Sequence, residues 1–185
     1  MNGHSDVNLG LLCGRGELWE RLPLVLSTWG LASNPFDCWL ASRGLGTLAL
    51  RVERACHNAL QIALQIALEP KVLAVHYPGL EGHPDHALAR RQFGERFGSM
   101  VTFTLEGGTA AAERFIRAVA EEIPFSPSLG DLSTTLSHPE STSHRTMTAE
   151  ARAALGIFGG TIRLSVGIES LDFVHRALCQ GFHAV

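Results

Sequence analysis

Arg163 stands in a segment whose side chains alternate strictly. Ile162, Leu164, Val166 and Ile168 point one way, while Thr161, Arg163, Ser165 and Gly167 point the other, the two-residue period of a strand. An arginine alone on a polar face has two readings. It is either a solvated charge or a guanidinium clamp, because the planar fork matches the two oxygens of a carboxylate.

The other candidate chemistry is weaker. His83-Pro84-Asp85-His86 has an HxxH spacing, and His138 and His144 lie further on. Pro84 sits at a helix start and no acidic pair completes a ligand set, so the histidines read as loop and cap residues rather than metal ligands. Gly107-Gly108-Thr109 could cradle a phosphate at a helix start. It lacks the remainder of a P-loop or dinucleotide fingerprint, which leaves a tight turn with a threonine cap. Ser128-Leu129-Gly130 has neither a GxSxG elbow nor an assignable base, which argues against a serine hydrolase. Cys13, Cys38, Cys56 and Cys179 are far apart and form no CxxC pair; they read as reduced thiols of a cytoplasmic protein. Of the 15 basic residues, Lys71 is the one lysine, so any amine chemistry within the chain must use it.

These residues need elements to hold them. Val7 to Cys13 is short and apolar and fits a buried strand, followed by a helix over Glu17 to Leu31 despite Pro23. Ser33-Asn34-Pro35 offers a cap with proline at the first helical position, opening a helix that Gly44 and Gly46 bend or interrupt. From Thr47 to Leu68 a narrow polar stripe (Arg43, Thr47, Arg51, Arg54, Asn58, Gln61, Gln65) divides an otherwise apolar helix. Such a helix packs on more than one side, as a core helix or a spacer between lobes. Strands are predicted at Val72 to Val75, Met100 to Leu105 and Thr161 to Val166. Helices are predicted at Pro84 to Gln92, Gly107 to Glu122, Glu150 to Leu155 and Ser170 to Leu178. Ser126 to Thr148 reads as one long irregular stretch, too long for an idle connection. The order describes an α+β lobe.

The 185 residues, 45% apolar and 18% charged, suffice for one domain or slightly more and are too apolar for a disordered chain. A net charge of −3 with scattered arginines argues against a nucleic-acid partner. No apolar run approaches the ~18 residues of a membrane span. Met1 to Asp6 has neither the basic nor the apolar part of a signal peptide.

Taken in order, several short blocks resemble the C-terminal half of the cysteine/methionine-metabolism family of pyridoxal-phosphate enzymes. That family holds the cystathionine synthases and lyases, methionine gamma-lyase and the homoserine-ester sulfhydrylases. The blocks are Asn2-Gly3-His4-Ser5-Asp6-Val7, Asn34-Pro35-Phe36-Asp37 with Trp39-Leu40, and Arg43-Gly44-Leu45 with Thr47-Leu48. Tyr77-Pro78-Gly79-Leu80 with His83-Pro84, Ser128-Leu129-Gly130, His138-Pro139 with His144, and Arg163 to Glu169 complete the series. Each block is short; their shared order along nearly the whole chain carries the likeness.

The resemblance implies an α/β protein: the C-terminal portion of a fold type I enzyme, whose small domain has a mainly antiparallel sheet flanked by helices. Residues 1–34 would be the tail of the large cofactor domain, 35–69 the interdomain helix region, and 70–185 the small domain. Arg163 would bind the substrate α-carboxylate, with Ser128 and Leu129 beside it and Ser143 where many members have a threonine lining that pocket. The implied substrate is a sulfur-containing or O-acylated amino acid undergoing β- or γ-elimination or γ-replacement. In the family the Schiff-base lysine precedes the segment beginning at Met1 by two positions, and the phosphate-binding glycines, stacking tyrosine and pyridine-pairing aspartate lie in the other half. The chain alone is therefore expected to have no catalytic, cofactor-binding or metal-binding residues, to hold pyridoxal 5'-phosphate poorly and to be inactive. The complete enzyme would be a tetramer-like homo-oligomer. The competing expectations are a free-standing, non-catalytic binding or structural module and, more distantly, a metal-dependent hydrolase using His83 and His86.

Overall fold

A computed structural model describes residues 1–185. The chain divides into two compact units, Met1–Leu48 and Ala49–Val185. No helix is long and apolar enough to cross a membrane.

The first unit contains helices only: α1 (Glu17–Glu20), α2 (Leu22–Thr28) and α3 (Pro35–Leu45). The strand expected at Val7 to Cys13 does not form, and Asn8 to Cys13 are exposed. A strand needs a neighbour to take its backbone hydrogen bonds, and this unit contains none. The helix expected over Glu17 to Leu31 is split at Arg21. Pro23 falls at the start of α2, where its missing N–H costs nothing, whereas within one continuous helix its ring would meet a preceding carbonyl. The break before α3 matches expectation: Asn34 accepts from the Asp37 N–H at 2.9 Å, with Pro35 at the first helical position.

The second unit is a sheet with helices on its apolar side. After α4 (Leu48–Ile66) come β1 (Val72–His76), α5 (His86–Phe93), β2 (Met100–Leu105) and α6 (Gly108–Val119). Then follow β3 (Thr135–Ser137), α7 (Ala149–Ala154), β4 (Thr161–Ser165) and α8 (Leu171–His183). The strands lie in the order β1-β2-β4-β3 and every pair is antiparallel. Val101, Phe103, Leu105, Leu136, Ile162 and Leu164 are buried with residues of α6 and α8. At the centre, Phe115 lies 5.5 Å from Phe103 and 5.1 Å from Phe182, centroid to centroid. Each such ring contributes about 1.5–3 kcal/mol on burial.

Three details depart from the sequence reading. The region from Ser126 to Thr148 contains β3, whose partner β4 lies far along the chain. Thr109 does not cap α6: Gly107 enters the helix at φ 89°, a left-handed conformation that suits glycine, and Thr109 Oγ1 donates to Glu140 at 2.9 Å. In α4 the apolar buried stripe includes Ala55, Ala59, Ile62, Ala63 and Ile66, which is the i, i+4, i+7, i+8, i+11 pattern of one helix face. Leu50, Val52 and Leu64 are exposed, whereas Arg51 and Asn58 of the polar stripe are buried. Asn58 is inside because its amide is used there, as described below.

Candidate functional site

β4 lies between β2 and β3, so its backbone is paired on both sides. Arg163 is opposite Thr102 of β2 and opposite Ser137 of β3. Directly opposed residues share a face, so the guanidinium rises from a floor of small hydroxyl side chains. Thr161 and Ser165 flank it on the same face and are buried, whereas Arg163 is half-buried. It has no acidic partner of the kind that Arg117 has in Glu113 or Arg152 has in Glu140. A permanently charged fork, partly out of water and without an internal counter-ion, is suited to an external carboxylate.

Residues 127–131 arch over this face. The arch is fixed at its ends by the Ser126 N–H on the Leu136 carbonyl (2.8 Å) and the Ile168 N–H on the Leu132 carbonyl (2.9 Å). At its middle the Gly130 N–H donates to Ser165 Oγ at 3.1 Å. That contact brings the Ser128-Leu129-Gly130 segment to the face that carries Arg163. Ser128 donates its backbone N–H to Ser126 O at 2.9 Å, and Leu129 is 72% exposed. The expected group is brought together only in part. Ser143 lies in the turns after β3, exposed, 2.8 Å from His144 Nδ1, and it shares no hydrogen bond with Arg163 or Ser128.

The exit of β4 is clamped. Thr134 Oγ1 accepts from the Gly167 N–H at 3.0 Å and donates to Glu169 Oε2 at 2.9 Å, while the Thr134 N–H donates to Glu169 Oε1. Asn58 donates to the carbonyls of Gly167 (3.1 Å) and Glu169 (2.9 Å). Gly167 has no room for a side chain, since a Cβ there would collide with the Leu132 carbonyl. Sequence reading missed Thr134, Asn58 and Ser165 as supports. The alternation put Ser165 on the correct face, but nothing local signalled the other two.

The histidines serve structure. His83 Nδ1 accepts from the Asp85 N–H at 3.1 Å, and His86 donates to the Pro78 carbonyl at 2.8 Å while stacking on Phe97. His138 is buried, donating through Nε2 to the Gly159 carbonyl (2.8 Å), with Ser141 Oγ at 3.0 Å from Nδ1. A hollow of about 350 Å³ beside β1 and β2, lined by Leu73, His76, Gly107 and Phe158 among others, contains no arginine or lysine.

The model of the Cys/Met metabolism PLP-dependent enzyme family matches residues 1–183. The chain belongs to that family. It is 39% identical over 176 residues to an O-succinylhomoserine sulfhydrylase of Pseudomonas aeruginosa, covering 95% of the chain and 43% of that relative. It is 39% identical over 175 residues to a cystathionine gamma-lyase of Saccharomyces cerevisiae, covering 93% and 44%. The crystal structure of cystathionine gamma-lyase from yeast superposes with a TM-score of 0.93 at 38% identity, over 99% of the chain and 47% of its own. A cystathionine gamma synthase from Xanthomonas oryzae pv. oryzae, in complex with cystathionine, gives 0.89 at 41% identity, over 99% and 47%. The family chain thus spans somewhat less than half the length of these relatives. The fold expected from the sequence, an antiparallel small-domain sheet with helices, is the one observed.

Proposed function

We propose that this chain is the C-terminal part of a pyridoxal-phosphate-dependent transsulfuration enzyme that performs β- or γ-elimination, or γ-replacement, on a sulfur-containing or O-acylated amino acid. In this reading residues 1–34 are the tail of the large cofactor domain, 35–69 the interdomain helix region, and 70–185 the small domain. Arg163 grips the substrate α-carboxylate, the Ser128–Leu129 arch lies beside it, and Ser143 lines the same pocket. The observation that carries the reading is Arg163 itself: a half-buried guanidinium with no internal acid, on a strand paired along both edges.

Pyridoxal phosphate, when bound, supplies an electron sink for breaking the bond at Cβ or Cγ. The residues of this chain do not fit as its holder. Lys71, the one amine side chain, donates to the carbonyls of Phe182 (2.8 Å) and Val185 (2.9 Å). By the family resemblance, the lysine that tethers the cofactor is one of the residues of the family's N-terminal half. This chain contributes orientation of the substrate and is inactive alone. The complete protein is a cytoplasmic homo-oligomer resembling a tetramer.

Two measurements test the proposal. Incubation with pyridoxal phosphate followed by borohydride should leave Lys71 unmodified, with no turnover of cystathionine or methionine; fixation of the cofactor on Lys71 with turnover overturns it. Titration with L-methionine should move the Arg163 side-chain NMR resonance and leave the other arginines in place. A monodisperse, cooperatively folded chain in which no arginine responds points instead to a non-catalytic module.

A further inference from the structure

Two hydroxyls face each other on the sheet where the arch meets it, and one of them has no partner. Thr135 of β3 is directly opposite Ser165 of β4, so the two share the face that carries Arg163. Ser165 Oγ accepts from the Gly130 N–H at 3.1 Å. Thr135 is 6% exposed, and its Oγ1 is closed off from solvent without any hydrogen-bond partner. Asn58 Oδ1 is also unpartnered, but the nitrogen of that amide is already at work at the exit of β4. The hydroxyl of Thr135 has no such second task.

An orphaned buried hydroxyl destabilises the state that contains it, because it has lost water and found no replacement. Valine has the same shape, suits a strand and carries no such penalty, so packing gives no reason for a threonine here. The hydroxyl has a use if the arch has a second position. The arch is fixed at its ends by backbone bonds, but at its middle it is tied to the sheet through the side chain of Ser165. Breaking that tie frees the Gly130 N–H and the Ser165 hydroxyl and opens the way to Thr135. All three lie beside a guanidinium, since Thr135 is the diagonal neighbour of Arg163 across the β3–β4 pair and a long side chain spans that diagonal.

We propose that Thr135 is a ligand-binding residue of the Arg163 face, uncovered when the arch lifts, and that its hydroxyl donates to the carboxylate held by the guanidinium. The lowered arch leaves the hydroxyl unpaired; the ligand brings the missing acceptor. Stability of the empty chain is thereby lowered in favour of affinity in the occupied one. The inference rests on the carboxylate reading of Arg163 and adds to it one donor and one movement.

Thermal melts and an L-methionine titration followed by NMR test it, with Thr135→Val and Thr135→Ser beside the native chain. Without ligand, Thr135→Val should melt roughly 2–4 °C higher, the effect of removing an unpaired buried hydroxyl. As L-methionine is added to the native chain, the Gly130 amide should move together with the Arg163 side-chain resonance. Thr135→Val should weaken binding roughly tenfold, and Thr135→Ser should stay within about twofold of native. The inference is overturned, and the carboxylate reading left standing, by any of three results: a lower melting temperature for Thr135→Val, a fixed Gly130 amide while Arg163 responds, or equal affinity in Thr135→Val and the native chain. An Arg163 resonance that stays in place in the native chain overturns both.

Discussion

The ammonium of Lys71 lies 2.8 Å from the carbonyl oxygen of Phe182, at the end of α8. The last carbonyls of a helix have no partners within it and carry its partial negative charge. Lys71 answers both needs, and its own carbonyl accepts from the Glu106 N–H at 2.9 Å. One residue thus ties the entry of β1 to the neighbouring strand and to the final helix.

Lys71→Met should therefore lower stability by roughly 1–2 kcal/mol, the scale of a charged hydrogen bond combined with a helix-end contact. Amide exchange in the last turn of α8 should accelerate more than in α6. Equal rates in the two helices would show that the lysine is not holding the helix end.

Thr134 is buried and serves both the Gly167 N–H and the Glu169 carboxylate. Thr134→Val keeps the shape and the backbone bond to Glu169 Oε1 but removes the hydroxyl, leaving the Gly167 N–H unpaired and Glu169 Oε2 without its donor, at a cost of about 1–3 kcal/mol. Thr134→Ser should retain most of the stability. Urea midpoints that rank the two variants the other way would refute the clamp at the exit of β4.

Tyr77 is buried and donates to the Gly98 carbonyl at 2.9 Å. Burial, and secondarily the neighbouring Cys56, pushes its phenol well above the ordinary 10.0. A raised folded value means that its contribution is complete below pH 10.0 and is lost as pH climbs from there toward the folded value, because the unfolded chain releases the proton first. Between pH about 9 and about 11 the melting temperature of the native chain should fall more steeply than that of Tyr77→Phe. Parallel curves would count against the shift.

In the complete enzyme, Arg163→Ala should raise KM and lower kcat/KM. A bidentate charged contact worth about 1.5–3 kcal/mol corresponds to a loss of roughly ten- to a hundred-and-fifty-fold. Arg163→Lys should recover only part of it, since an ammonium lacks the planar fork. Kinetics unchanged by the alanine substitution would remove the carboxylate role.

The sequence showed the site unevenly, for physical reasons. β2 is found at the predicted residues, Met100–Leu105, because Val101, Phe103 and Leu105 alternate and bury. The face of Arg163 was legible from the same rule. β3 was not: Thr135, Leu136 and Ser137 contain one apolar residue, and the strand exists because β4 arrives much later in the chain to pair with it. The run from Val7 to Cys13 erred in the opposite direction, having strand composition without a strand to join. Asn58 read as part of a polar stripe, yet the carbonyls it serves, those of Gly167 and Glu169, are distant in sequence. Ser143 was proposed through resemblance alone, and its hydrogen bond runs to His144 rather than to the arginine.

The placement of Arg163 on a doubly paired strand, beneath an arch that touches the sheet at one mid-point bond, separates two kinds of evolutionary freedom. On the proposed reading, the carboxylate that every amino acid shares would meet an anchor whose displacement would break two ladders at once. The segment from Pro127 to Gly130 is held at its middle only through the Gly130 N–H, a backbone group, so its side chains are not what ties it to the sheet. A lyase and a synthase that bear different names keep this fold over 99% of the chain at about 40% identity, so the backbone is retained where most side chains are not.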